Sequence, residues 1–106
     1  MIDIADFKKI EIKIGKVTAA EAVPETDKLI KLTIDFGEEQ RTVLTAIREF
    51  FQPEYFIGKM IPVVTNLQPK TFRGIESQGM ILAADDNGTP VLLHPEKEIP
   101  AGSKVL

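Results

Sequence analysis

The chain has no cysteine and a single histidine, His94. Without thiols there is no disulfide, no thiol nucleophile and no thiolate metal site, a composition suited to the cytosol. One imidazole followed by Pro95 is a poor anchor for zinc, and no Ser or Asp stands at a triad spacing from it. No G-x-x-x-x-G-K-[ST] loop is present to hold a nucleotide. The residues therefore point to no catalytic group, no metal and no cofactor. No apolar run reaches the roughly 18–20 residues of a membrane span, and Met1–Ile10 carries acids where a secretory leader carries bases. An excess of positive charge is missing too: 13 Lys and Arg against 16 Asp and Glu leave a net charge of −3. That argues against a general polyanion binder, so any phosphate contact has to come from a local basic patch. There is no internal repeat, and 106 residues suffice for one core but not two, giving a single domain over 1–106.

What is present reads as short strands. Asp3 or Asp6 can cap a helical turn around Phe7. Ile10, Ile12 and Ile14 then alternate with Glu11 and Lys13, and Gly15 predicts a bulge or sharp bend before the run resumes at Lys16–Thr18. Val23–Lys28 is a loop. Ile30, Leu32, Ile34 and Phe36 alternate with Lys31, Thr33 and Asp35 as a second strand, and Arg41–Ala46 follows the turn Gly37–Glu39 as a third. Ile47–Phe56 holds Phe50, Phe51, Tyr55 and Phe56; Pro53 forbids one regular helix, so a short helical turn starting at Pro53 should plug one end of a barrel. Met60–Leu67 is a fourth strand, with Pro62 implying an edge or a bulge. Gly79–Ala84 is a fifth, and Asn87-Gly88 is a hairpin signal ahead of Val91–Leu93. Asp85 and Asp86 beside that turn lack the spacing of a calcium loop. Five strands with a helical segment between the third and fourth is the plan of the OB-fold.

One stretch is unlike the rest. Val63–Ala84, VVTNLQPKTFRGIESQGMILAA, sets an irregular polar link between two strand-like runs, supplying far more hydrogen-bonding groups than a tight hairpin needs. It reads as a surface that meets something polar and anionic.

Asp6-Phe7-Lys8-Lys9-Ile10-Glu11-Ile12-Lys13-Ile14-Gly15-Lys16-Val17 resembles the D-F-x-K-x-[DE]-[IL]-[KR]-[IV]-G-x-[IV] opening of the tRNA-binding domain family. Pro24 and Asp27-Lys28-Leu29 resemble its H-P-x-A-D-K-L loop, with Val23 and Thr26 in place of its His and Ala. Asn66–Lys70, Phe72-Arg73-Gly74 and Glu76–Ala84 are similar to its N-L-x-P-[RK]-x-[LF]-[RM]-G-x-x-S-x-G-M-[IL]-L-A-A block. Members include the C-terminal domain of many methionyl-tRNA synthetases, free-standing tRNA-binding proteins and the CsaA proteins. The resemblance implies an all-β OB-fold, a five-stranded barrel with short helical segments and N- and C-terminal extensions. It further implies a homodimer that binds the tRNA body without catalysis, attached to or associated with a synthetase catalytic body, in the cytoplasm. A different class of reading is a CsaA-like chaperone that binds unfolded polypeptide, or a purely dimerising scaffold.

Folded RNA is read through phosphates, 2′-hydroxyls and splayed bases. Lys70 and Arg73 suit phosphates, with Arg able to bond bidentately, and Lys28 and Lys31 would extend the positive rim. Asn66, Ser77 and Gln78 can bond sugars or base edges, and Met80 can pack on a nucleobase. Structural roles are open to the same side chains: Ser77 as a turn cap, Asn66 on loop backbone, Met80 in the core, the lysines as solvated charge. Gly74 and Gly79 fit backbone conformation better than ligand contact.

Overall fold

Alternation in β2 (Ile30–Asp35) decides where the core lies. Ile30, Leu32, Ile34 and the following Phe36 are buried, whereas Lys31, Thr33 and Asp35 are half-buried on the other face. With Val17, Val43, Phe56, Ile61 and Val63 they form one cluster of nine, each side chain stabilising the fold by about 1.5–3 kcal/mol on full burial. The computed structural model describes all 106 residues.

Five antiparallel strands make the main sheet, in the order β3-β2-β1-β4-β7, with β1 at Ile12–Ala22, β3 at Gln40–Thr45, β4 at Met60–Val64 and β7 at Met80–Ile81. The long β1 is shared: Lys16–Ala22 pairs with β2 and Ile12–Lys16 with β4, which curls the sheet into the OB-like half-barrel expected from the sequence. Two hairpins stand outside it, β5 (Lys70–Phe72) with β6 (Ile75–Ser77), and β8 (Ala83–Asp86) with β9 (Thr89–Leu92). Helical structure is slight: α1 (Ile4–Phe7), capped by the Asp3 carboxylate on the Asp6 N–H, and a 3₁₀ turn, Pro53–Phe56, beginning at the predicted proline.

Four expectations change. The bulge in β1 falls at Thr18, between Val17 and Ala19, and not at Gly15; Gly15 is required because the Ile34 methyl and the Phe36 ring fill the space a Cβ would take. Pro62 is neither at an edge nor in a bulge. It faces Ile14 across the β1–β4 pair while its carbonyl accepts from Leu82 N–H; having no N–H to return, it ends the β4–β7 ladder there. The predicted fifth strand, Gly79–Ala84, accordingly breaks at Leu82 into β7 and β8. Of the aromatic group only Phe56 is a full plug; Phe50 and Tyr55 are exposed, and Phe51 stacks on Tyr55 at 5.2 Å.

The barrel's open edge is sewn shut by side chains. Along β3, Thr42 N–H donates to Gln78 Oε1 (3.1 Å) and Leu44 N–H to Ser77 Oγ (3.0 Å), while Gln78 N–H donates to the Thr42 carbonyl (2.8 Å). Arg41 crosses the same mouth, donating to the carbonyls of Thr65 and Gln78 and pairing with Glu39. At the other side the chain's tail lies along β1, with Gly102 N–H on Ile14 O (2.7 Å) and Val105 N–H on Ile12 O (2.9 Å).

Candidate nucleic-acid interface

The link between β4 and β7 is irregular only in part: Thr65–Pro69 is without strand, as the composition suggested, but Lys70–Ser77 is a regular hairpin. Lys70 faces Ser77, Thr71 faces Glu76 and Phe72 faces Ile75, and the two-residue turn Arg73-Gly74 has φ of +52° and +79°. Such a turn wants left-handed residues, usually Asn-Gly. Arg73 takes that strained conformation in place of a cheaper residue, at a cost of about 1 kcal/mol or more. At the tip its guanidinium is exposed and in no ion pair.

Beneath the hairpin lies a groove of about 470 Å³ whose apolar lining is Leu44, Leu67, Phe72 and Met80, with Gln68 and Lys70 at its polar margin. Leu67, Phe72 and Met80 remain 46%, 46% and 48% exposed. An exposed aromatic and a thioether over an apolar floor, edged by the unpaired Lys70 and with Arg73 next to Phe72 at the hairpin tip, form a platform on which a base can stack while its phosphates meet cations. Phe72 is the residue that reading the sequence missed. It stands between the recognised cations Lys70 and Arg73, and strand alternation alone could not say whether its ring faces core or solvent.

The other candidate side chains are placed differently. Ser77 is buried, and its hydroxyl donates to the Gly79 carbonyl (3.2 Å) while accepting from Leu44 N–H. Gln78 is half-buried in the seam with β3. Asn66 bonds backbone at both ends, accepting from Glu11 N–H (2.8 Å) and donating to the Lys9 carbonyl (2.7 Å). Lys31 pairs with Leu44 across β2 and β3, one strand from the groove, and its ammonium is 3.5 Å from Glu21. Lys28 lies in the β1–β2 loop, exposed and without an ion pair. The structure thus gathers Lys70, Met80 and the buried Ser77 around one groove, leaves Arg73 at the tip of the hairpin above it, sets Lys31 beside it, and assigns Asn66 and Gln78 to backbone.

Glu11 has a shifted carboxyl, held below the usual carboxylate range first by the Thr65 hydroxyl, which donates to it at 2.6 Å, and then by Lys13 at 3.7 Å. It belongs to the knot of Glu11, Thr65 and Asn66 that ties the N-terminal extension to the end of β4.

Residues 12–104 match the family described as "Putative tRNA binding domain". The chain is 51% identical over 104 residues to a methionine–tRNA ligase of Archaeoglobus fulgidus, covering 98% of this chain and 16% of that protein. It therefore spans about one-sixth of such a relative's length. Among solved structures, a MetRS-related protein of Pyrococcus horikoshii superposes with a TM-score of 0.96 at 42% identity, covering 100% of this chain and 98% of that one. The chaperone CsaA of Bacillus anthracis superposes with a TM-score of 0.88 at 36% identity, covering 100% and 99%.

Proposed function

The chain belongs to the tRNA-binding domain family, and from that premise we propose that it is a non-catalytic module that holds the body of tRNA for a methionyl-tRNA synthetase, fused to it or separate, in the cytoplasm. The observation that carries this reading is the groove under the β5–β6 hairpin, where exposed Phe72 and Met80 adjoin the unpaired Lys70, with Arg73 following Phe72 at the hairpin tip. The Phe72 ring offers stacking, worth about 1–3 kcal/mol per base, with little demand on sequence. The cations supply the salt-sensitive part. Holding tRNA near a catalytic body raises its effective concentration there without altering the chemistry.

The module acts as a homodimer. Ile4, Phe7 and Ile10 of the N-terminal extension lie with Val105 and Leu106 of the tail around a depression of about 420 Å³, and all five are exposed. An apolar face built from both extensions suits the self-complementary contact of a two-fold pair. Sedimentation equilibrium checks it, the expected mass being twice that of the chain.

The test of the RNA reading is a gel-shift series with tRNA at increasing salt, run on the native chain and on Phe72→Ala. The native chain should bind with a clear salt slope, and Phe72→Ala should bind roughly 5–160-fold more weakly with the slope and melting temperature unchanged. Binding that ignores both the salt and the ring would sink the proposal. The second reading, capture of unfolded polypeptide, is favoured by the apolar lining of the same groove and by the likeness to CsaA. Competition separates the two: if peptide is the true occupant, a reduced, unfolded polypeptide will displace tRNA at lower concentration than unlabelled tRNA does.

A further inference from the structure

At the opposite end of β4 from the groove, Met60 opens onto a second depression, of about 520 Å³, with a different character. Its charged lining is Lys16, Lys59, Lys97 and Glu98, with His94 beside them; Met60 and Pro95 are its apolar side chains. Three lysines around one hollow run against the composition of a chain whose net charge is −3. None of the three is in an ion pair, although Glu98 stands in the same hollow.

The fold holds these groups by means other than charge. Lys16 is the cross-strand partner of Met60. The Gly58-Lys59 turn is stitched to β1 from both sides, Gly58 N–H on Val17 O (2.8 Å) and Val17 N–H on Lys59 O (2.9 Å). Lys59 Nζ lies 4.2 Å from the centre of the Tyr55 ring, which fixes the ammonium without neutralising it. The segment carrying Lys97 is pinned to β4 by His94, whose Nδ1 must carry the proton because its partner at 2.9 Å is the Met60 carbonyl. Nε2 is thereby left free.

We infer that this hollow is a second phosphate-contact site for the RNA's sugar–phosphate backbone, distinct from the base-stacking groove. The inference rests on the RNA reading above. A polar, open, cationic hollow with little apolar lining suits a chain of phosphates better than a base or a hydrophobic peptide. The run from Met60 to Leu67 spans at most roughly 23 Å at about 3.3 Å per residue, so one folded RNA arm can lie across both sites.

Two double variants with equal charge loss test this: Lys16→Gln/Lys97→Gln, which removes two of the hollow's three lysines, and Lys9→Gln/Lys13→Gln, which removes two ion-paired lysines elsewhere. The first should lower the slope of log affinity against log salt for tRNA by roughly 1.4–1.8, at 0.7–0.9 per phosphate contact, and the second should leave it unchanged. Glu98→Gln should act with the opposite sign and tighten binding. Equal slopes in the two double variants, with both folded by circular dichroism, would overturn the second site; if Phe72→Ala still weakens binding in that case, the groove reading stands alone. A native chain that does not bind tRNA at all removes both.

Discussion

Asn66, Ser77 and Gln78 share one short stretch with Lys70, Phe72 and Arg73, yet the two sets have opposite surroundings. The first set is consumed by backbone: Asn66 ties down the N-terminal extension, and Ser77 and Gln78 cap two N–H groups along β3. The second set stands on a hairpin outside the main sheet, exposed and, for the two cations, unpaired. A polar side chain is thus no sign of a binding surface until its partners are known. The set that closes the barrel determines where the other set points, because β6 reaches the sheet through Ser77.

The sharpest way to break this contrast is Ser77→Ala. Removing the hydroxyl strands the Leu44 N–H and the Gly79 carbonyl beside a buried position, a loss of about 1–3 kcal/mol. For a domain of this size each kcal/mol corresponds to a fall of roughly 4–8 °C in melting temperature. Well below the melting point, tRNA affinity should change little. If the variant melts like the native chain but binds much less tRNA, Ser77 is a contact and the division between the two sets fails.

Arg73→Asn sharpens the same contrast from the other side, because stability and binding should move in opposite directions. Asn tolerates the left-handed conformation that Arg73 is forced into, so the folded state should gain up to about 1 kcal/mol. The lost guanidinium should lower the salt slope by roughly 0.7–0.9. Urea titration and the gel-shift series read the two effects separately. A variant that is more stable and binds equally well would show that the strained arginine serves no ligand.

The alternation in β2, the Asn87-Gly88 turn, with φ of +49° and +92°, and the 3₁₀ turn starting at Pro53 were all legible because each rests on a local rule. The misread features depend on non-local neighbours. Gly15 looks like a bulge until Ile34 and Phe36 are known to press on it. Pro62 looks like an edge residue until its missing N–H is seen to fall where the partner strand leaves. The site was half legible for the same reason. Cations and amides could be counted along the chain, but Ser77 and Gln78 are committed to β3, far away in sequence. Phe72 stands between two cations, but nothing local says whether its ring faces core or solvent.

The smallest effect concerns the knot at Glu11, and its sign follows from the direction of the shift. The folded chain holds this carboxyl below its ordinary value, chiefly through the Thr65 hydroxyl and then through Lys13. The ionised form is therefore favoured by folding. Its contribution is fully present above the ordinary carboxylate range and is lost as pH falls through the lower, folded value. Glu11 is only half-buried, so solvent screens the attraction and the effect should be slight. Glu11→Gln keeps an acceptor for Thr65 but cannot titrate; urea midpoints should therefore depend less steeply on pH on the acid side than in the native chain, while coinciding in shape near neutrality. Because the knot holds only the N-terminal extension, tRNA affinity measured at neutral pH should be the same in both. A parallel loss of tRNA binding in Glu11→Gln would mean that the extension and the hairpin are coupled through Thr65 and Asn66, and the separation between anchoring and contacting side chains would have to be redrawn.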